Sequence, residues 1–137
     1  MSRRKAREMA LQTLYQLDFN ATEPDQALAT AVDEAGEVDT KTRDYAWALV
    51  SGATANRAVI DEIIATASAE WKLDRMASVD RNIARIAIYE MRFGSESLSP
   101  GVVINEAVEL AKTFGTDDSS RFVNGILGSL VKKKGAT

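Results

Sequence analysis

The stretch SVDRNIARIAIYEMRF, residues 78–93, decides the fold. Its apolar positions Val79, Ile83, Ala84, Ile86, Ala87, Ile88 and Met91 recur at helical spacing but do not keep to one stripe. A helix apolar nearly all round must be covered on most sides, so this segment predicts the central helix of a bundle. Ser78 is expected to cap its start and Gly94 to end it.

The segments on either side supply the cover. In the first, Ala6, Met9, Ala10, Thr13, Leu14 and Leu17 follow the i, i+3, i+4, i+7 pattern of a buried stripe. Pro24 suits the first turn of a second helix, with Thr22 preferred to Glu23 as its cap. A third helix is expected from Asp39 or Thr40, turning Tyr45, Ala46, Leu49 and Val50 inward, with Gly52 marking close packing or a bend. A fourth carries Val59, Ile60, Ile63 and Ile64, and a short irregular piece follows Trp71. Beyond the central helix, Ser99-Pro100 restarts the chain as cap and first-turn proline. The sixth helix should bury Ile104, Ala107, Val108, Ala111 and Phe114 and stop at Gly115. After the loop TDDSS, a last helix buries Val123, Ile126, Leu127 and Leu130, with Gly125 and Gly128 allowing another helix close. The expectation is an all-α bundle of about seven helices, one domain over residues 1–137.

Composition narrows the chemistry. The 137 residues include no cysteine and no histidine. Disulfides, thiolate or imidazole metal sites, cysteine nucleophiles and histidine acid–base catalysis are therefore all excluded. No Gly-rich phosphate loop or dinucleotide fingerprint occurs. Asp117 and Asp118 form the clearest acidic pair, but they lack the spacing of a calcium loop and read better as caps of the last helix. No enzyme, cofactor or metal is expected. Gln12, Thr13 and Gln16 interrupt what could otherwise pass for a secretory apolar run, and no stretch approaches a membrane span. A soluble, unprocessed, cytoplasmic protein is expected.

Charge is unevenly placed. The net charge is −3, yet Arg3, Arg4, Lys5 and Arg7 crowd the start and Lys132, Lys133 and Lys134 the finish. Eight acids lie from Asp18 to Asp44, against Lys41 and Arg43. Such asymmetry suits a polyanion partner, or simply keeps the protein in solution. Arg7, Leu11 and Tyr15, spaced i, i+4, i+8, form a row beside the first stripe. Cations for phosphate followed by a ring for an unstacked base are what single-stranded nucleic acid asks for, although Tyr15 also suits the rim of a core. The segment KTFGTDDSSRF (112–122) is a second candidate, with Lys112, Arg121, Ser119 and Ser120 beside free helix-start N–H groups. Asp118 would repel phosphate there and suits a base edge better. Phe114 reads as core closure, while Phe122 stays open between core and ligand. A third row, Arg81, Arg85, Tyr89 and Arg92, reads as a solvated face or a protein-docking one.

Three segments together resemble the NusB family of bacterial antitermination factors: RRKAREMALQTLYQLD, NIARIAIYEMRF and, above all, VVINEAVELAKTFGTDDSSRFVNGILGSL. The resemblance spans essentially the whole chain apart from the acidic stretch 23–39. It implies two small perpendicular helical sub-bundles and a non-enzymatic RNA-binding role. NusB-like proteins pair with the small-subunit ribosomal protein NusE on boxA, a single-stranded element of ribosomal RNA leaders. The complex helps RNA polymerase read through terminators.

Carried over by position, the resemblance implies RNA contacts at Arg3, Arg4, Lys5, Arg7, Tyr15, Lys112, Asp118, Ser119, Arg121 and Phe122. It implies a partner-protein face around Asp80 and Arg85. It also allows a homodimer that masks the RNA site. Four phosphate contacts on a single strand predict a log–log salt slope of about −3. Two rival expectations are a protein-interaction scaffold and a stand-alone relative of the RNA-binding domain of ribosomal RNA methyltransferases, although no cofactor-binding βαβ pattern occurs.

Overall fold

A computed structural model describes residues 1–67, 76–94 and 98–135, with side chains through Val131. Among these residues seven α-helices follow in order: α1 (Arg3–Phe19), α2 (Pro24–Ala35), α3 (Thr40–Ala55), α4 (Arg57–Ala67), α5 (Ser78–Arg92), α6 (Pro100–Phe114) and α7 (Ser119–Gly135). No strand occurs among the described residues. Trp71 and the piece after it lie outside them, as do the side chains of Lys132, Lys133 and Lys134.

The central position of α5 follows from its composition. Ile83, Ala84, Ile86, Ala87 and Ile88 are all buried, and α5 packs against α1, α3, α4, α6 and α7. The main core gathers these residues with Leu11 and Leu14 of α1, Leu49 of α3, Ile60 and Ile64 of α4, and Val123 and Leu127 of α7. A smaller core joins Ala6 and Met9 to Leu28, Ala31 and Ala46, closing α2 onto α1 and α3. Helix α1 serves both cores. Its buried face is consequently wider than one stripe and includes Arg7 and Leu11. Gly52 is a close approach: a Cβ there would lie 2.1 Å from the Tyr89 ring, so only glycine lets that ring cover α3.

Several local expectations are corrected. Pro24 occupies the first turn of α2, which makes Glu23 the N-cap in place of Thr22. Ala77 is the N-cap of α5, and Ser78, inside the helix, donates its hydroxyl to Asp18 at 2.6 Å. Val59 is 52% exposed, because α4 turns only Ile60 and Ile64 fully inward. In α6 the buried face centres on Val103, Ala107, Leu110 and Ala111, leaving Ile104, Val108 and Phe114 at its edge. The apolar run is broad enough for two phases, and packing on α5 and α7 selects this one. Gly125 and Gly128 have open space where a Cβ would stand, so they mark no close helix approach.

Two carboxylates tie down helix starts. Asp39 caps α3 by accepting from the Thr42 N–H at 2.9 Å, and the terminal ammonium of Met1 lies 3.3 Å from it. The Thr42 hydrogen bonds, helped by that ammonium, hold the Asp39 carboxyl down to about 2. Burial alone would raise Asp18, but hydrogen bonds from Ser78 and Asn82 and the charges of Arg85 and Arg81 outweigh it and bring it below the ordinary carboxylate range. Both groups bind protons less readily folded than unfolded, where aspartate titrates near about 3.9. Their contribution is complete above that value and is lost as pH falls through the lowered folded value, about 2 for Asp39. Urea midpoints measured from pH 5 downward should therefore fall, and Asp18→Asn should make that fall shallower.

Candidate nucleic-acid interface

The basic start of α1 meets acids of its own chain. Arg7 is 4% exposed and grips Glu90 of α5 with two hydrogen bonds, Nε to Oε1 at 2.8 Å and Nη2 to Oε2 at 2.9 Å. The Tyr45 hydroxyl donates to the same carboxylate. Burial, then the bond to Glu90, pushes the Tyr45 hydroxyl far above its ordinary value. Burial works against the Arg7 charge, but the Glu90 bonds prevail and raise its pKa further. Arg3 lies over the Tyr45 ring at 5.7 Å, within cation–π range. Arg4 forms a fork on Glu106 of α6, with both bonds at 3.1 Å. That bond holds Glu106 below the ordinary carboxylate range.

These placements divide the expected contacts. Arg4 keeps a 62% exposed side chain despite its fork, so it can face a phosphate. Lys5, part-buried, reaches the Glu37 carbonyl at 3.2 Å. Arg7, expected as an RNA contact, is buried in this chain and holds α1 to α5. The sequence could not disclose this, because its partner lies 83 positions away.

The row Arg7, Leu11, Tyr15 is likewise split, since Leu11 is core whereas Tyr15 is 44% exposed. The Tyr15 ring meets that of Phe19, 64% exposed, with centroids 4.9 Å apart and planes tilted by 54°. Phe19 was not singled out from the sequence. Its spacing of four from Tyr15 was the available signal.

The turn between α6 and α7 has its own internal logic. Ser119 is 2% exposed and accepts the Thr116 N–H at 2.9 Å, while a Cβ on Gly115 would lie 2.4 Å from its oxygen. Ser119, expected as a contact, is thus a buried lock that shapes the turn presenting its neighbours. Asp118 and Asp117 are exposed; the Asp118 carbonyl accepts from the Phe122 N–H at 3.0 Å, and neither carboxylate makes a capping bond among the described residues. Arg121 is exposed, and Phe122, half-buried, packs on the main core. Lys112 stands 3.6 Å from Glu109, and Glu109 adds to the field on Arg4. A mixed-charge row along α6 therefore links the turn to the start of α1.

Arg85 also lies inside the helix packing. It is 4% exposed and forks onto Asp61 at 2.7 and 2.9 Å, with Nη1 donating to Asn82 at 3.0 Å. Tyr89 covers Gly52, so of the row Arg81, Arg85, Tyr89, Arg92 only Arg92 is exposed. A solvated face does not fit Arg85, which pins α5 to α4. Asp80 is half-buried at the start of α5.

Fold and site together define a helical binding module that sets accessible cations and rings along its first helix. The chain belongs to the NusB family, whose model matches residues 4–132. The transcription antitermination protein NusB of Symbiobacterium thermophilum is 49% identical, across 99% of this chain and 94% of that protein. T. maritima NusB has a solved structure with TM-score 0.87 and 35% identity, covering 96% of this chain and 92% of its own. A crystal structure of antitermination factors NusB and NusE in complex with dsRNA matches at TM-score 0.86 and 30% identity, covering 96% of both chains.

Proposed function

We propose that this chain acts, without catalysis, as a transcription antitermination factor. It binds a boxA-like single-stranded RNA of ribosomal RNA leaders jointly with the ribosomal protein NusE, in the cytoplasm, and supports processive transcription by RNA polymerase. The observation that carries this reading is the series on α1 of exposed Arg4, part-buried Lys5 and exposed Tyr15, in a chain of NusB fold. The related NusB seen with NusE and RNA supports the choice of partners.

RNA contacts are assigned to Arg3, Arg4, Lys5, Tyr15, Lys112, Asp118, Arg121 and Phe122, with Arg7 and Ser119 positioning them. Residues 1–137 act as one domain, since α1 contributes to both cores. Asp80 is kept on the partner side. Joint binding raises affinity because each protein tethers the RNA for the other. A homodimer hiding α1 would compete with RNA.

The test is size-exclusion chromatography of the chain with NusE, with and without a boxA-like RNA. A ternary complex that survives at concentrations where either pair dissociates is expected. Elution of three separate species at those concentrations would contradict the reading. The neutralisation of Arg4 by Glu106 favours one rival, a protein scaffold with no RNA role. Displacement of bound RNA by an acidic peptide but not by unlabelled RNA would support it.

A further inference from the structure

We propose that Tyr15 and Phe19 form one two-base platform, and that the tilt between their rings requires successive bases of a single strand to splay apart. This rests on the RNA reading above and goes beyond it in naming Phe19 and the conformation selected.

Arg4, Glu8, Gln12, Tyr15 and Phe19 occur at i, i+4, i+8, i+11 and i+15, which places them on one side of α1. Arg4, Gln12, Tyr15 and Phe19 are exposed, and Glu8 is half-buried. The stripe runs about 22 Å from guanidinium to the last ring. It therefore orders cation, amide and two rings along a path that a backbone with attached bases can follow. Glu8 and Gln12 separate the rings from the arm and Gln16 lies between the rings in sequence, so the surroundings are too polar for an apolar helix-docking face.

The ring pair sets the geometry. With centroids 4.9 Å apart the rings touch, and no base fits between them. Bases stacked on the two rings would therefore have planes tilted from each other by the 54° between the rings. Bases stacked in a duplex are nearly parallel, so a duplex can use one ring at most. An unstacked single strand can use both.

The experiment is fluorescence anisotropy with a labelled boxA-like single-stranded RNA and with its duplex. It compares the parent with Phe19→Ala, Phe19→Leu, Phe19→Trp and Tyr15→Ala. Phe19 is 64% exposed, so Phe19→Ala should keep the parent's melting curve, which is checked by circular dichroism. Phe19→Ala and Phe19→Leu should each weaken single-strand binding about tenfold, as loss of one stacked base does. Phe19→Trp should bind as the parent does, and Phe19→Ala and Tyr15→Ala together should weaken duplex binding less than single-strand binding. An RNA lacking the base that sits on Phe19 should already show the loss, with no further effect of Phe19→Ala.

If Phe19→Ala binds like the parent while Tyr15→Ala is weakened, the platform is wrong and the RNA reading stands. Parent-like binding by Phe19→Leu overturns ring stacking. A Phe19→Ala protein that changes only in self-association, by sedimentation, makes the patch a homodimer contact and overturns the proposal. Absence of RNA binding by the parent removes both readings.

Discussion

Replacing Glu90 by Ala is expected to destabilise the fold by about 3–5 kcal/mol, the range for breaking a buried ion pair from one side. Two groups lose their partner together. The Arg7 guanidinium, 4% exposed, keeps its charge with no adjacent carboxylate except Glu106, whose Oε2 is 3.9 Å from Nη1. The Tyr45 hydroxyl loses its acceptor as well. Unfolding in urea at neutral pH would show a much lower midpoint, and the melting temperature should fall by on the order of 10 °C. Replacing both partners, Arg7→Met with Glu90→Leu, should cost less than the sum of the single changes, because no uncompensated charge remains. Equal additivity would mean that the pair is not coupled.

The second large effect concerns binding. Changing Arg4 and Lys5 together to Ala removes two accessible cations while leaving the buried network intact. With Arg4, Lys5, Lys112 and Arg121 each on a phosphate, the single-strand salt slope is about −3, and losing two contacts halves it. At 0.1 M salt the affinity should drop on the order of 20-fold, vanishing towards 1 M where the electrostatic contribution ends. Anisotropy titrations at several salt concentrations measure both quantities. An unchanged slope would remove the arm from the interface. Arg7→Ala is the contrasting variant: its loss of binding should follow loss of stability, and it should not act through the salt slope alone.

The elements that were legible in the sequence are those whose signals are local. The apolar surround of α5 implied its central position, and the helix order followed from apolar spacing with Pro24, Gly94, Pro100 and Gly115 as punctuation. The Gly52 approach was readable as a possibility because glycine costs helix stability unless something needs the space. What was not legible depends on distant partners. A carboxylate from α5 takes Arg7 inward, Asp61 takes Arg85, and Gly115 and Thr116 take Ser119. In each case the residue type fits an exposed contact and a buried one equally well, and the tertiary arrangement decides. The phase of α6 is not legible for a related reason. Val102, Val103 and Ile104 in succession support two faces, and only packing chooses Val103, leaving Val102 51% exposed.

The central claim is that the exposed side of α1, with the α6–α7 turn, recognises single-stranded RNA with help from NusE. The most direct measurement is anisotropy of a labelled boxA-like RNA against a scrambled strand and a duplex, each with and without NusE, across salt. The account predicts preference for the boxA-like strand, tightening with the partner, and a salt slope of about −3 for the chain alone. Binding that is equal for all three RNAs and indifferent to the partner would contradict it.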